Sequence, residues 1–151
     1  MSNTNSPPWN PELRSSEGKE LIFDPVREKY VVRTPEEDVR QWFIHYLHTH
    51  LGYPLKCMGV ERQITYNMMN KRFDILIFGN AGQPVCLIEC KRPNVPLDQS
   101  TIDQVSMYNF GLKVPFLCLV NGVEMVVCEL DLEKNGYRFL EEMPPYQSIN
   151  K

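Results

Sequence analysis

Asp74 and Glu89 are acids set in two strongly apolar runs, RFDILIF (72–78) and PVCLIECK (84–91), and their spacing decides what they can do. Gly-Asn-Ala-Gly-Gln at 79–83 reads as a turn, so the two runs pair as a hairpin pivoting near residue 81. Opposed residues then have numbers summing to 162 or 163. With the sum at 163, Asp74 faces Glu89, Arg72 faces Lys91, Leu76 faces Leu87 and Phe78 faces Val85. The strand period of two puts all eight on one side. The other side is apolar throughout: Phe73, Ile75, Ile77, Cys86, Ile88 and Cys90. Two carboxylates so opposed have Cβ atoms about 5 Å apart, and their repulsion needs compensation. One solution is a divalent cation, since Mg²⁺ is held by one or two carboxylates plus waters and phosphate oxygens. The other is a network of ion pairs in which Arg72 and Lys91 neutralise the acids diagonally. A slip of one residue would move half the set to the other face.

The elements that must hold this hairpin are legible around it. TPEEDVRQWFIHYLHTHLG opens with Thr34 as N-cap and Pro35 at the first helical position, and Glu37 completes a capping box. Val39, Trp42, Phe43, Tyr46, Leu47 and Leu51 make its apolar stripe, while Glu37, Gln41, His45 and His48 share the polar flank. Gly52 and Pro54 end it. GVERQITY (59–66) reads as a strand before the hairpin. A second helix is expected over about 98–111, with Asp98 or Ser100 as cap and Gly111 as stop. VPFLCLV (114–120) and VEMVVCEL (123–130) are strands joined at Asn121-Gly122, and YRFL (137–140) is a last extended piece. The order implies an α/β domain, a mixed sheet of about five strands flanked by helices. We expect a mobile arm over residues 1–19, one domain over 20–143 and a polar tail from Pro144 to Lys151.

Composition narrows the function classes. With 16 basic and 19 acidic residues the net charge is −3, so any nucleic-acid contact must draw on a local basic patch; Arg72, Lys91 and Arg92 supply one. No run approaches the ~20 apolar residues of a membrane span, and the first residues lack the pattern of a secretory signal. The five cysteines, mostly in apolar runs, read as buried free thiols of a reducing, cytoplasmic setting. Cys86 and Cys90 are not a zinc pair, because four strand residues separate them by roughly 13 Å. The sequence has no GxxxxGK[ST] loop, so any ATP-driven movement or target choice is expected from protein partners.

Asp74 followed fifteen residues on by Glu89-Cys90-Lys91 resembles the D…ExK signature of the PD-(D/E)xK phosphodiesterase superfamily. The likeness extends to LIFDPVREKYVVRTPEE, VRQWFIHYL, KRFDILIF, LIECKRPN, DQVSMYN and the Val-Pro…Asn-Gly run. Over about residues 21–130 these are similar to the N-terminal nuclease domain of type I restriction enzyme R subunits and to small stand-alone versions of it. The resemblance implies a restriction-endonuclease-like core and a metal-dependent deoxyribonuclease, with RNA an open substrate. It implies that Asp74 and Glu89 hold Mg²⁺ or Mn²⁺, with the Cys90 carbonyl a further ligand, and that Lys91 orients the attacking water or stabilises the transition state. It assigns Gln104 and Tyr108 to a QxxxY helix motif beside the site and Glu37 to the first-helix acid. Phe73 stands where the superfamily's Pro is usual. The competing class is a nuclease-fold module that binds nucleic acid or a protein partner without cutting.

Overall fold

The computed structural model describes residues 2–3 and 8–150. Its strands are β1 (Ser2–Asn3), β2 (Leu13–Ser16), β3 (Lys19–Asp24), β4 (Lys29–Val32), β5 (Met58–Tyr66), β6 (Met69–Phe78), β7 (Pro84–Cys90), β8 (Phe116–Val120), β9 (Glu124–Asp131) and β10 (Gly136–Leu140). Its helices are α1 (Pro35–Leu51), α2 (Gln99–Leu112) and the short α3 (Tyr146–Ile149), with a single 3₁₀ turn at Leu55–Cys57. Among the described residues the main sheet has seven strands in the order β1-β9-β8-β7-β6-β5, with β10 also paired to β9. The expected five form its body; β10 and the two-residue β1 extend its far edge. Among the described residues only β7 and β8 run parallel, joined by α2 as the crossover.

The sheet is buried on both faces. α1 and α3 cover one, where Val39, Phe43 and Leu47 meet Ile75, Ile77, Ile88 and Cys118. α2 covers the other, where Ile102 and Val105 meet Leu117, Leu119 and Val126. α1 starts as its sequence dictates: the Thr34 hydroxyl accepts from the Glu37 N–H at 3.0 Å, Pro35 is the first residue, and Gly52 closes the helix at φ +77°. α2 is capped by Asp98, which accepts from the Thr101 N–H. It passes through Gly111, expected as its stop, and ends with Lys113 at φ +57°. The extra residue lets Leu112 join the apolar cluster around Phe73, Leu76 and Leu87, which outweighs a glycine in the helix. The β8–β9 turn is centred one residue later than expected: Asn121 pairs with Glu124, and Gly122 at φ +88° leads the turn.

The chain ends differ from the expected arm and tail. Residues 1 and 4–7 of the arm, and Lys151 of the tail, lie outside the described residues. Residues 13–16 form β2, which pairs with β3, itself paired with β4, in a separate three-stranded sheet. Residues 144–150 pack into the fold: the Tyr146 hydroxyl donates to the Phe78 carbonyl at 2.9 Å, and Ile149 is buried. Elements this short carry weak local signals: β2, exposed along its length, is ordered by its ladder to β3, and α3 by the burial of Tyr146 and Ile149.

Candidate active site

The β6–β7 ladder pairs Ile75 with Ile88, Leu76 with Leu87 and Ile77 with Cys86, the register whose numbers sum to 163. At the turn end it shifts, so Phe78 pairs with Pro84 and not with Val85. At the other end the strands part, because Asp74 breaks the alternation. Phe73 packs with Leu76 and Leu87 under α2, edge-on to Tyr108 at 5.9 Å, and not with Ile75 and Ile77 on the α1 side as expected. The Asp74 carboxylate enters the gap, where Oδ2 accepts the Cys90 N–H at 2.8 Å. A side chain thus takes the place of a ladder carbonyl, and β6 and β7 splay around it.

Glu89 lies within reach of Asp74 and is 5% exposed. Burial, then the Asp74 charge, raise its carboxyl to about 7, against the pull of Lys71 and Lys91. Its Oε1 is buried without a hydrogen-bond partner, with Lys71 Nζ at 3.9 Å. Lys71 also stands 5.7 Å over the Phe73 ring and 5.5 Å over that of Tyr108. Lys91 follows the last residue of β7, half-buried, its N–H bound to the Val120 carbonyl. Its side chain has no ion-pair partner within 4 Å among the described residues. Arg72 is exposed and stands 3.6 Å from Glu61, on neither Lys91 nor Asp74. Arg92 and Gln104 are exposed.

The α1 side of the gap is closed by a cluster of charges. Arg40, 5% exposed, donates Nη2 to Asp74 Oδ1 and Nη1 to Glu37 Oε1, both at 2.9 Å, and stands 3.1 Å from Glu61. Burial pulls its guanidinium down, but Glu37 and Asp74 outweigh that and raise it. Glu37 also accepts from Arg27 Nη2 at 3.0 Å and Gln41 Nε2 at 3.1 Å. Its carboxylate therefore turns into this cluster; the expected capping box forms only its Thr34 half, and Glu37 meets Asp74 only through Arg40. Arg27 in turn is bound to the fully buried Asp24, 2.5 Å from Nε.

Sequence reasoning found the two apposed acids but missed Arg40, Arg27, Glu61 and Lys71. Arg40 had a signal: three residues after Glu37, it shares a helix face with it. Lys71, Glu61 and Arg27 had none, since their proximity to the acids comes from chain reversals and the splay at Asp74.

The donor set fits a divalent cation of the Mg²⁺ class. Two carboxylates meet in one gap, one buried oxygen is left without a partner, and the remaining sites of such an ion are usually filled by waters and phosphate oxygens. Among the described residues no group of three or more His, Cys, Asp or Glu is placed to hold a metal.

The mixed α/β fold has counterparts among known proteins. The structure superposes with a TM-score of 0.52 on a DUF820 protein from Anabaena variabilis assigned as a nuclease, at 14% identity over 94% of this chain and 87% of that one. It matches equally well, at 0.52 and 18% identity over 76% of this chain, a fragment of a protein from Vibrio vulnificus assigned as the HsdR subunit of a type I restriction enzyme. This chain spans only 24% of that fragment's length. No match is found among curated proteins. Residues 35–144 match the family model of the type I restriction enzyme R protein N terminus, and the chain belongs to that family.

Proposed function

We propose that the protein is a divalent-metal-dependent nuclease that hydrolyses DNA phosphodiester bonds in restriction, defence or DNA processing. The observation that carries this is the pair Asp74 and Glu89, apposed in the gap between splayed strands with an unpartnered buried oxygen and two lysines beside it. Asp74 and Glu89 would hold Mg²⁺ or Mn²⁺, with the Cys90 carbonyl as a further ligand. Bound there, the ion would supply Lewis acidity and lower the pKa of a water. Lys91, charged and free of an ion-pair partner among the described residues, would orient the attacking water and stabilise charge developing on the phosphate. Lys71, held over Phe73 and Tyr108, would add a second cation from the α2 side. Tyr108 fixes that lysine, and Gln104 lies one turn earlier on the same helix face. Arg72 and Arg92, exposed at the rim, would meet the phosphate backbone. Partner proteins would supply any motor or target choice, and the unpaired buried thiols suit a cytoplasmic setting.

A second reading draws on Arg40. Its guanidinium 2.9 Å from Asp74 can neutralise that acid unaided, as in a module that binds without cutting. The decisive experiment is cleavage of labelled single- and double-stranded DNA and RNA with Mg²⁺ or Mn²⁺. Wild type should cut DNA only with the cation, and Asp74→Asn, Glu89→Gln and Lys91→Ala should each abolish cutting while remaining folded. If wild type is as inert as the three variants on every substrate, the binding-module reading stands.

A further inference from the structure

Outside the site, the outer half of the β5–β6 hairpin leaves one face open: Ile64 and Lys71 pack toward Phe73, while Gln63, Thr65, Asn70 and Arg72 face solvent. β6 leaves β7 at Ile75, yet β5 and β6 stay paired out to Tyr66 and Met69. Residues 62–72 thus form a two-stranded ribbon with no third strand beside it among the described residues. Arg62, Gln63, Thr65, Asn70 and Arg72 are all exposed. A ribbon alone is marginally stable in water, so folding alone gives little reason to extend one. Its composition is one-sided: RQITYNMMNKR holds three bases and no acid, in a chain of net charge −3.

The tip is unusual as well. Tyr66 pairs with Met69, leaving Asn67 and Met68 as a two-residue turn at φ +49° and +64°. Asparagine tolerates that conformation, but the second position strongly favours glycine. Met68 holds it instead and is 97% exposed. Unfavourable backbone geometry and a fully presented apolar side chain at one point suit a contact surface.

We propose that ribbon 62–72 is an arm that enters the major groove of duplex DNA beside the cleavage site. This rests on the nuclease reading above. A major groove about 12 Å wide admits a two-stranded ribbon, whereas the deep, narrow major groove of an RNA duplex does not. From Asp74 to Met68 is six residues, roughly 20 Å at ~3.3 Å each, or about six base steps at 3.4 Å. With a cation held by Asp74 and Glu89, a phosphate bound to it would have the neighbouring groove within the ribbon's reach. Arg72, its side chain 65% exposed, meets the backbone. Gln63 offers a paired donor and acceptor to base edges, Asn70, whose oxygen accepts the Thr65 hydroxyl, offers its amide donors, and Met68 offers an apolar contact to a thymine methyl.

The test is binding of a fluorescein-labelled 24-base-pair DNA duplex, in EDTA so that nothing is cut, across a salt series. The Gln63→Ala/Met68→Gly/Arg72→Ala variant should bind at least tenfold more weakly, with a slope of log K against log salt shallower by about 0.9 for the lost phosphate contact. Met68→Gly alone should lose about threefold without a lower Tm, because glycine adopts that φ freely. Arg138→Ala, on β10 at the opposite edge of the sheet, removes one positive charge and should change neither quantity. The arm is overturned if both ribbon variants bind as wild type does, if Arg138→Ala weakens binding as much, or if a matched RNA duplex binds as tightly. Should wild type cut DNA with Mn²⁺ while the ribbon variants bind normally, only the arm fails. Should wild type neither bind nor cut, the nuclease reading fails with it.

Discussion

At the scale of single residues, the site is a balance between one acid that resists ionisation and one that is already paired. Glu89 is raised to about 7 by burial first and the Asp74 charge second. A carboxyl raised in the folded protein binds its proton more tightly there than in the unfolded chain. Its contribution to stability is thus full below the ordinary carboxyl range and is lost as pH climbs through 7. Urea titrations of the metal-free protein should show stability falling between about pH 4.5 and 7 from this group, and Glu89→Gln should flatten that fall. A slope the variant shares with wild type would assign the effect to another group. Arg40 holds the opposite role. Removing it as Arg40→Gln leaves Glu37 and Asp74 facing each other in a buried cluster, and should cost about 3 kcal/mol by denaturant unfolding. Mn²⁺ should then raise the Tm of Arg40→Gln by more than that of wild type, since the ion restores the missing charge.

The residue-scale legibility has a physical limit. The register that brings Asp74 near Glu89 follows from a five-residue turn and a period of two, both local rules, and the ladder keeps it from Ile75 and Ile88 to Ile77 and Cys86. The break at Phe73 and Asp74 is not local: it depends on Tyr108 from α2 drawing the Phe73 ring to its own side of the sheet. Glu37 shows the same limit. Its spacing from Thr34 suggested a reciprocal cap, but three donors arriving from Arg27, Arg40 and Gln41 outbid one backbone N–H for its oxygens.

Among the elements, α2 is the most instructive, because it carries Tyr108 into the site yet touches nothing that reacts. Its start was legible in Asp98, and its end was not, since a glycine four turns along looked like a stop. Asp98 holds the Thr101 N–H and both neighbouring hydroxyls, so Asp98→Ala should cost about 1 kcal/mol. Lys113 closes the helix at φ +57°, a conformation glycine adopts without steric cost, and Lys113→Gly should stabilise by up to about 1 kcal/mol. Thermal unfolding measures both. Cleavage at saturating DNA should be unchanged in Lys113→Gly, which alters the helix cap and none of the site's charged side chains.

For the whole molecule, a divalent ion that binds only the folded state stabilises it by mass action. At a hundredfold excess over its Kd this amounts to about 2.7 kcal/mol. In a chain of this size that is a rise in Tm of roughly 5–10 °C, and Asp74→Asn should remove most of it. An undiminished shift in that variant would place the ion elsewhere. The five-strand body, both long helices and the absence of a membrane-spanning helix among the described residues were all legible in the sequence. The ordered ends were not. β2 and α3 are each four residues long, too short to carry a period: β2, exposed along its length, is held by its ladder to β3, and α3 by the burial of Tyr146 and Ile149.

Asp24 bears on a practical question, where this protein could be cut. It is fully buried, it binds the N–H groups of Val26 and Arg27, and through Arg27 it reaches Glu37 and so Arg40 and Asp74. The segment that matches the family begins at residue 35, downstream of both Asp24 and Arg27. A chain trimmed to the matched boundaries would keep Asp74, Glu89 and Lys91 but strip one of the two guanidiniums from Glu37. Grafting the nuclease unit onto another protein therefore calls for a boundary ahead of β2, so that the small sheet travels with the site it braces.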